Sequence, residues 1–129
     1  MRERLLGLAA LCLVLAGCGT TSGSSNDGTG FVAGDGTVVL KSTPGHTEGH
    51  QVLALRLAKT GNVVLSGDIY HYPEEVTTGR VPTIDVNKQQ TIQSRKELDA
   101  FLRKNKAQLW IQHDLAAFEK LKKAPAFYE

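Results

Sequence analysis

Residues 42–50 read STPGHTEGH and hold two of the four histidines in this 129-residue chain, His46 and His50. They follow TVVLK (37–41), a β-branched run with strand character. Pro44 and Gly45 end that strand and set His46 on a turn. The same pattern recurs twice: VVLSGD (63–68) ends at Asp68, and LWIQHD (109–114) reaches His113. Each is an apolar strand, a short turn or strand end, then a side chain able to bind metal. A sheet fixes where such ends lie and loops free their directions, so the three groups can converge. Two imidazoles and a carboxylate suit zinc or a similar divalent ion. Taken singly, each residue also fits a plainer role. A histidine after a strand caps or faces solvent, an aspartate after glycine forms a turn, and Asp114 caps a helix beside a bystander His113.

Outward from the motif, QVLALRL (51–57) is a strand buried on both faces for much of its length. KTGN (59–62) carries turn residues, so VVLS (63–66) returns antiparallel in a hairpin. QLWIQ (108–112) is a fourth strand. Between the last two, residues 87–104 form a helix with Ile92, Leu98, Phe101 and Leu102 near one face. Asn87 caps its start, and Arg103 and Lys104 suit the negative end of its dipole. A short helix at 115–123 ends before Pro125. Strands first, then helix, strand and helix imply an α+β or α/β layer, mostly antiparallel, with helices covering one face of a sheet.

The N-terminus belongs to a different class of segment. Arg2 and Arg4 precede LLGLAALCLVLA (5–16), a charged region and a short apolar core, followed by LAGC at 15–18. This resembles a bacterial lipoprotein signal, implying cleavage after residue 17 and lipidation of Cys18. The expected location is the bacterial cell envelope, lipid-anchored and facing away from the cytoplasm. Cys12 falls inside the signal, so the mature chain has no cysteine pair for a disulfide. Residues 18–30 are rich in Gly, Ser and Thr and read as a flexible tether. The expected domain is 31–129. A net charge of +2 and no basic run interleaved with aromatics give no footprint for nucleic acid.

TPGHTEGH, then LSGD, then IQHD together resemble the C-terminal half of the metallo-β-lactamase αββα sandwich, within its N-acyl-homoserine lactonase-like branch. The resemblance implies metal-dependent hydrolysis of a lactone or ester, and membership of a family that uses one or two zinc ions. It places His46 and His113 as ligands of separate ions and Asp68 as the bridge between them. His50 is not implied as a ligand and would support the loop. Asp68 would also protonate the leaving alkoxide. Tyr70 and His71 lie where lactonases place substrate-facing groups. The usual tyrosine three residues past the aspartate is His71 here.

The family signature His-x-His-x-Asp-His does not occur, since the histidines are His46, His50, His71 and His113. Two protein ligands per ion fall below the three of a catalytic zinc site. At most one ion is therefore expected, held by His46, Asp68 and His113 between the two family positions. The inner sheet face of such a half would be apolar, and a symmetric homodimer would cover it. Two other readings stand beside the hydrolase. One is a lipid-anchored, non-catalytic remnant or binding domain. The other is a glyoxalase II-like thioesterase, because GHTEGH does not select a substrate. Turnover that survives His46→Ala would remove the enzyme reading.

Overall fold

The structure, a computed structural model, describes residues 29–32 and 35–129. The signal, Cys18 and most of the tether lie outside those residues. No helix among the described residues is long and apolar enough to cross a membrane.

Five strands form one sheet in the order β1-β2-β3-β4-β5. They are β1 Thr29–Val32, β2 Val38–Ser42, β3 Gln51–Leu57, β4 Gly61–Leu65 and β5 Gln108–Trp110. The first four are antiparallel neighbours, and β5 lies parallel to β4. The β3–β4 hairpin matches the sequence reading, with Leu53 opposite Leu65 and Leu57 opposite Gly61. A parallel pair needs a long crossover, and residues 66–107 supply it through a 3₁₀ turn at Gly67–Ile69, α1 at Pro73–Thr78 and α2 at Lys88–Asn105. Helix α3, Leu115–Lys120, follows β5.

Several local expectations shift. Thr29 and Gly30, assigned to the tether by composition, belong to β1, where Thr29 pairs with Lys41 and Gly30 lies at a shift in register. Helix α1 was not anticipated, although Pro73 at its first turn and the left-handed Gly79 at its end are ordinary helix punctuation. Helix α3 stops at Lys120 rather than 123, and Asp114 caps it by accepting from the Ala117 N–H at 3.0 Å. Asn87 caps α2 as expected, accepting from the Gln90 N–H at 3.0 Å.

The largest difference is the face that α2 buries. Its buried residues are Thr91, Ser94, Arg95 and Leu98, whereas Ile92 is 42% exposed. The spacing is still helical, but the stripe is mostly polar. The reason is tertiary: α2 packs on the loops after β2 and β4, whose backbone polar groups need partners. Ser94 Oγ donates to the Pro44 carbonyl at 2.7 Å, and Arg95 Nε to the Ile69 carbonyl at 2.8 Å. Gly45 allows the close approach, since a Cβ there would lie 2.3 Å from the Thr91 nitrogen. Its φ of +140° also disfavours any side chain. The apolar core is Val52, Val64, Ile69, Tyr70 and Leu98, with Phe101, Leu102, Leu109 and Ile111 against it.

Candidate metal centre

Three loops meet at the C-terminal edge of the central strands, and Asp68 stands in their middle. Its Oδ1 accepts from His113 Nε2 at 2.8 Å. The same oxygen lies 3.9 Å from His71 Nε2, and Oδ2 lies 3.7 Å from His46 Nε2. The imidazoles of His71 and His113 stack with centroids 5.1 Å apart, and those of His46 and His71 are 5.4 Å apart. His46 and His71 are mostly buried, while Asp68 and His113 are half exposed. The hydrogen bond from His113 holds the Asp68 carboxyl below its ordinary range, with the nearby histidines adding to that effect against partial burial. Asp68 is therefore ionised at neutral pH.

The loop that carries Asp68 is built by His50. His50 Nε2 accepts from the Asp68 backbone N–H at 2.9 Å, and its Nδ1 contacts Thr43 Oγ1 at 2.8 Å and the Thr43 carbonyl at 3.1 Å. An Nε2 that accepts leaves the proton on Nδ1, so the ring is a neutral spacer between the β2 and β4 loops. Gly67, with φ of +53°, makes room: a Cβ there would stand 2.7 Å from His50 Nε2. The support role read from the sequence fits this geometry. Burial pushes the His50 pKa below its ordinary value of 6.5. The unfolded chain then takes up a proton near pH 6.5 that the folded chain refuses. Stability from this group is complete above about pH 6.5 and is lost as pH falls toward the folded value. Urea titrations at pH 7.5 and 5.5 should show a drop in midpoint that is smaller in His50→Gln than in the parent chain.

His46 is held by a residue that sequence reasoning missed. Its Nδ1 meets Asp85 Oδ1 at 3.0 Å, and Asp85 Oδ2 accepts from Thr91 Oγ1 at 2.7 Å. Asp85 is buried, so its carboxylate accepts a hydrogen bond from the Nδ1–H and turns Nε2 toward Asp68. In the neutral ring this sets a nitrogen lone pair against a carboxylate oxygen. Two acceptors face one another, and a cation relieves that contact. The only signal in the sequence was a lone Asp two residues ahead of a helix cap, which does not tell such a role from a turn.

Tyr70 is placed differently from the sequence expectation. The 3₁₀ turn and the extended Tyr70 after it bring His71 back beside Asp68 and send the tyrosine ring inward. Tyr70 is 3% exposed, within the core, and Arg95 lies 4.3 Å over its ring. Burial raises its pKa to about 12. It presents no surface to a substrate.

Among the described residues, donor atoms of Asp68, His71 and His113 all lie within 4.8 Å of one another. Ligands at 2.0–2.2 Å around one tetrahedral ion stand about 3.4 Å apart, so side-chain movements on the order of an ångström bring this set onto a single ion. The chemistry of the set, two imidazoles and a carboxylate, fits a divalent metal.

No protein-family model matches the chain. Among curated proteins it is similar to the N-acyl homoserine lactonase AttM of Azorhizobium caulinodans, 33% identical over 103 residues, covering 76% of this chain and 37% of that protein. It is 35% identical over 102 residues to the AttM lactonase of Rhizobium radiobacter, covering 75% of this chain and 37% of that one. Among solved structures, it resembles an N-acyl homoserine lactone hydrolase with the product N-hexanoyl-L-homoserine at its catalytic metal centre. That match has a TM-score of 0.68 and 27% identity, over 79% of this chain and 39% of the other. The chain thus spans a little over a third of the length of the proteins it matches. Over the matched residues it is homologous to these lactonases, and its sheet and helices form a fragment of the metallo-β-lactamase fold.

Proposed function

We propose that this chain carries the C-terminal part of a metal-dependent lactone hydrolase acting on N-acyl-homoserine lactone-like esters, with zinc as the ion at the centre where Asp68 meets His46 and His113. One observation carries this reading. The carboxylate of Asp68 faces His46, His71 and His113, in a stretch homologous to proteins named as N-acyl homoserine lactonases. Those names favour a lactone over a thioester.

A divalent ion at this centre supplies Lewis-acid polarisation of a carbonyl and lowers the pKa of water to about 7. The chain's own groups do the rest. Asp68 rests ionised, so it donates only a proton that it has first accepted. It takes one from the attacking water as the new C–O bond forms, and passes it to the alkoxide released when the ring C–O bond breaks. The product is a single hydroxy acid, which carries both the new carboxyl and the released hydroxyl. His50 fixes the Asp68 backbone, and the Asp85 carboxylate fixes the His46 ring. An apolar groove lined by Leu65, Ile111, Phe118 and Leu121 runs past Gln112 and Asp114, on either side of His113, and offers a surface for an acyl chain.

The membrane anchor at Cys18 and a homodimer that covers the exposed sheet face complete the proposal. The mass of the mature chain reads the first, and light scattering the second. The activity is tested by ring-opening of an N-acyl-homoserine lactone, followed by acid release, with and without a chelator. Chelator-sensitive opening supports the reading, and opening indifferent to chelator removes it.

A further inference from the structure

His71 stands apart from the three ligands that the family resemblance supplies, and its surroundings are those of a ligand. Its Nε2 points to the Asp68 oxygen that also receives His113, at 3.9 Å. Its other nitrogen, Nδ1, is buried without a hydrogen-bond partner. A buried polar nitrogen left unpaired is costly, so an arrangement that pairs it should be close at hand. Glu75 provides one. Its Oε1 lies 4.0 Å from His71 Nδ1, and its Oε2 accepts from the His71 backbone N–H at 3.2 Å. Glu75 is itself anchored, since Arg95 Nη2 donates to Oε2 at 2.6 Å. Arg95 cannot move freely: it also donates to the carbonyls of Ile69 and Arg80 and lies over Tyr70.

Closing that gap would repeat the pattern at His46. There a buried carboxylate, Asp85, takes Nδ1 and aims Nε2 at Asp68. Metal-binding histidines commonly donate their second ring N–H to a carboxylate in this way, which fixes tautomer and orientation. The two rings are aimed at opposite oxygens of Asp68: His46 at Oδ2, His71 and His113 at Oδ1.

We infer that His71 is a metal ligand, oriented by the Glu75–Arg95 pair, and that it joins Asp68 and His113 in a three-ligand site for a single divalent cation, made by this part of the chain alone. The inference rests on the metal-dependent reading above. It departs from the expectation of His46, Asp68 and His113 as the sole set, and it takes His71 out of the role of substrate contact. Three protein ligands with one position open is the shell of a catalytic zinc ion.

The test titrates Zn(II) and Co(II) into the purified full chain, His71→Gln and Glu75→Gln. The visible absorption of Co(II) reports the ligand set, and circular dichroism checks folding. His71→Gln should weaken Zn(II) binding by about 100-fold or more and change the Co(II) spectrum. Glu75→Gln should weaken it by about 10–100-fold. Should the variants not fold, the ¹⁵N resonances of the parent chain's imidazoles still decide. Zn(II) should shift the Nε2 signals of His71 and His113 and leave those of His50 in place. Unchanged affinity and spectrum in a folded His71→Gln, or a His71 ring that Zn(II) does not perturb, overturns the inference and leaves metal-dependent hydrolysis standing. Zn(II) binding that depends on His71 in a chain that opens no lactone supports the inference and overturns the hydrolase. No binding by the parent chain overturns both.

Discussion

Asp68→Asn should abolish the proposed ion binding and lactone opening together while the chain stays folded. Asparagine has nearly the same shape, and its carbonyl oxygen can still accept from His113. What it lacks is charge. Asp68 is the anion among the described residues that faces all three of His46, His71 and His113, and its ionised form is held by the His113 hydrogen bond. A neutral amide oxygen is a much poorer ligand for a divalent ion than a carboxylate. It also cannot carry a proton from water to the leaving alkoxide. Each loss alone is large, so turnover should fall by about 100-fold or more. Metal analysis and a ring-opening assay on one preparation check this. Parent-like metal content in the variant would mean that Asp68 is not the centre of the site.

The second large effect falls on stability. Arg95→Met should destabilise the fold by about 3–5 kcal/mol, because it removes one partner of a buried ion pair and leaves the other uncompensated. Arg95 and Glu75 are both largely buried, and their contact is 2.6 Å. Methionine fills much of the volume but abandons Glu75 and the Ile69 carbonyl. A domain of this size has only about 5–15 kcal/mol in total, so the variant should unfold at clearly lower urea concentration. Adding Glu75→Gln should restore part of the loss, since no buried charge is then left unpaired. A midpoint for Arg95→Met close to the parent's would show that this pair does not fasten α1 to α2.

Several elements announce themselves locally. The β3–β4 hairpin follows from two apolar runs around KTGN, and α2 begins at Asn87 because that side chain caps it. His46, Asp68 and His113 stand at strand ends in the sequence and meet in space. What stays illegible is set by tertiary contact. Thr29–Val32 carries no strand-like alternation, yet its backbone pairs with β2. Ile92 looks like a core residue, yet the loops over α2 need Ser94 and Arg95 as donors and rotate the helix accordingly. Tyr70 and His71 are neighbours whose roles depend on a single 3₁₀ turn, which no pattern of apolar residues encodes. Asp85 is a lone acidic residue and Glu75 the second of an adjacent glutamate pair, both near helix starts, where the same sequence most often means a cap or a surface charge.

The most direct measurement is the zinc content of the purified full chain beside His113→Ala. The proposed three-ligand site predicts about one zinc per chain, the number that one open shell of that kind holds, and its loss in the variant. Zinc absent from a folded parent chain, or retained undiminished in His113→Ala, would contradict a metal centre built on Asp68.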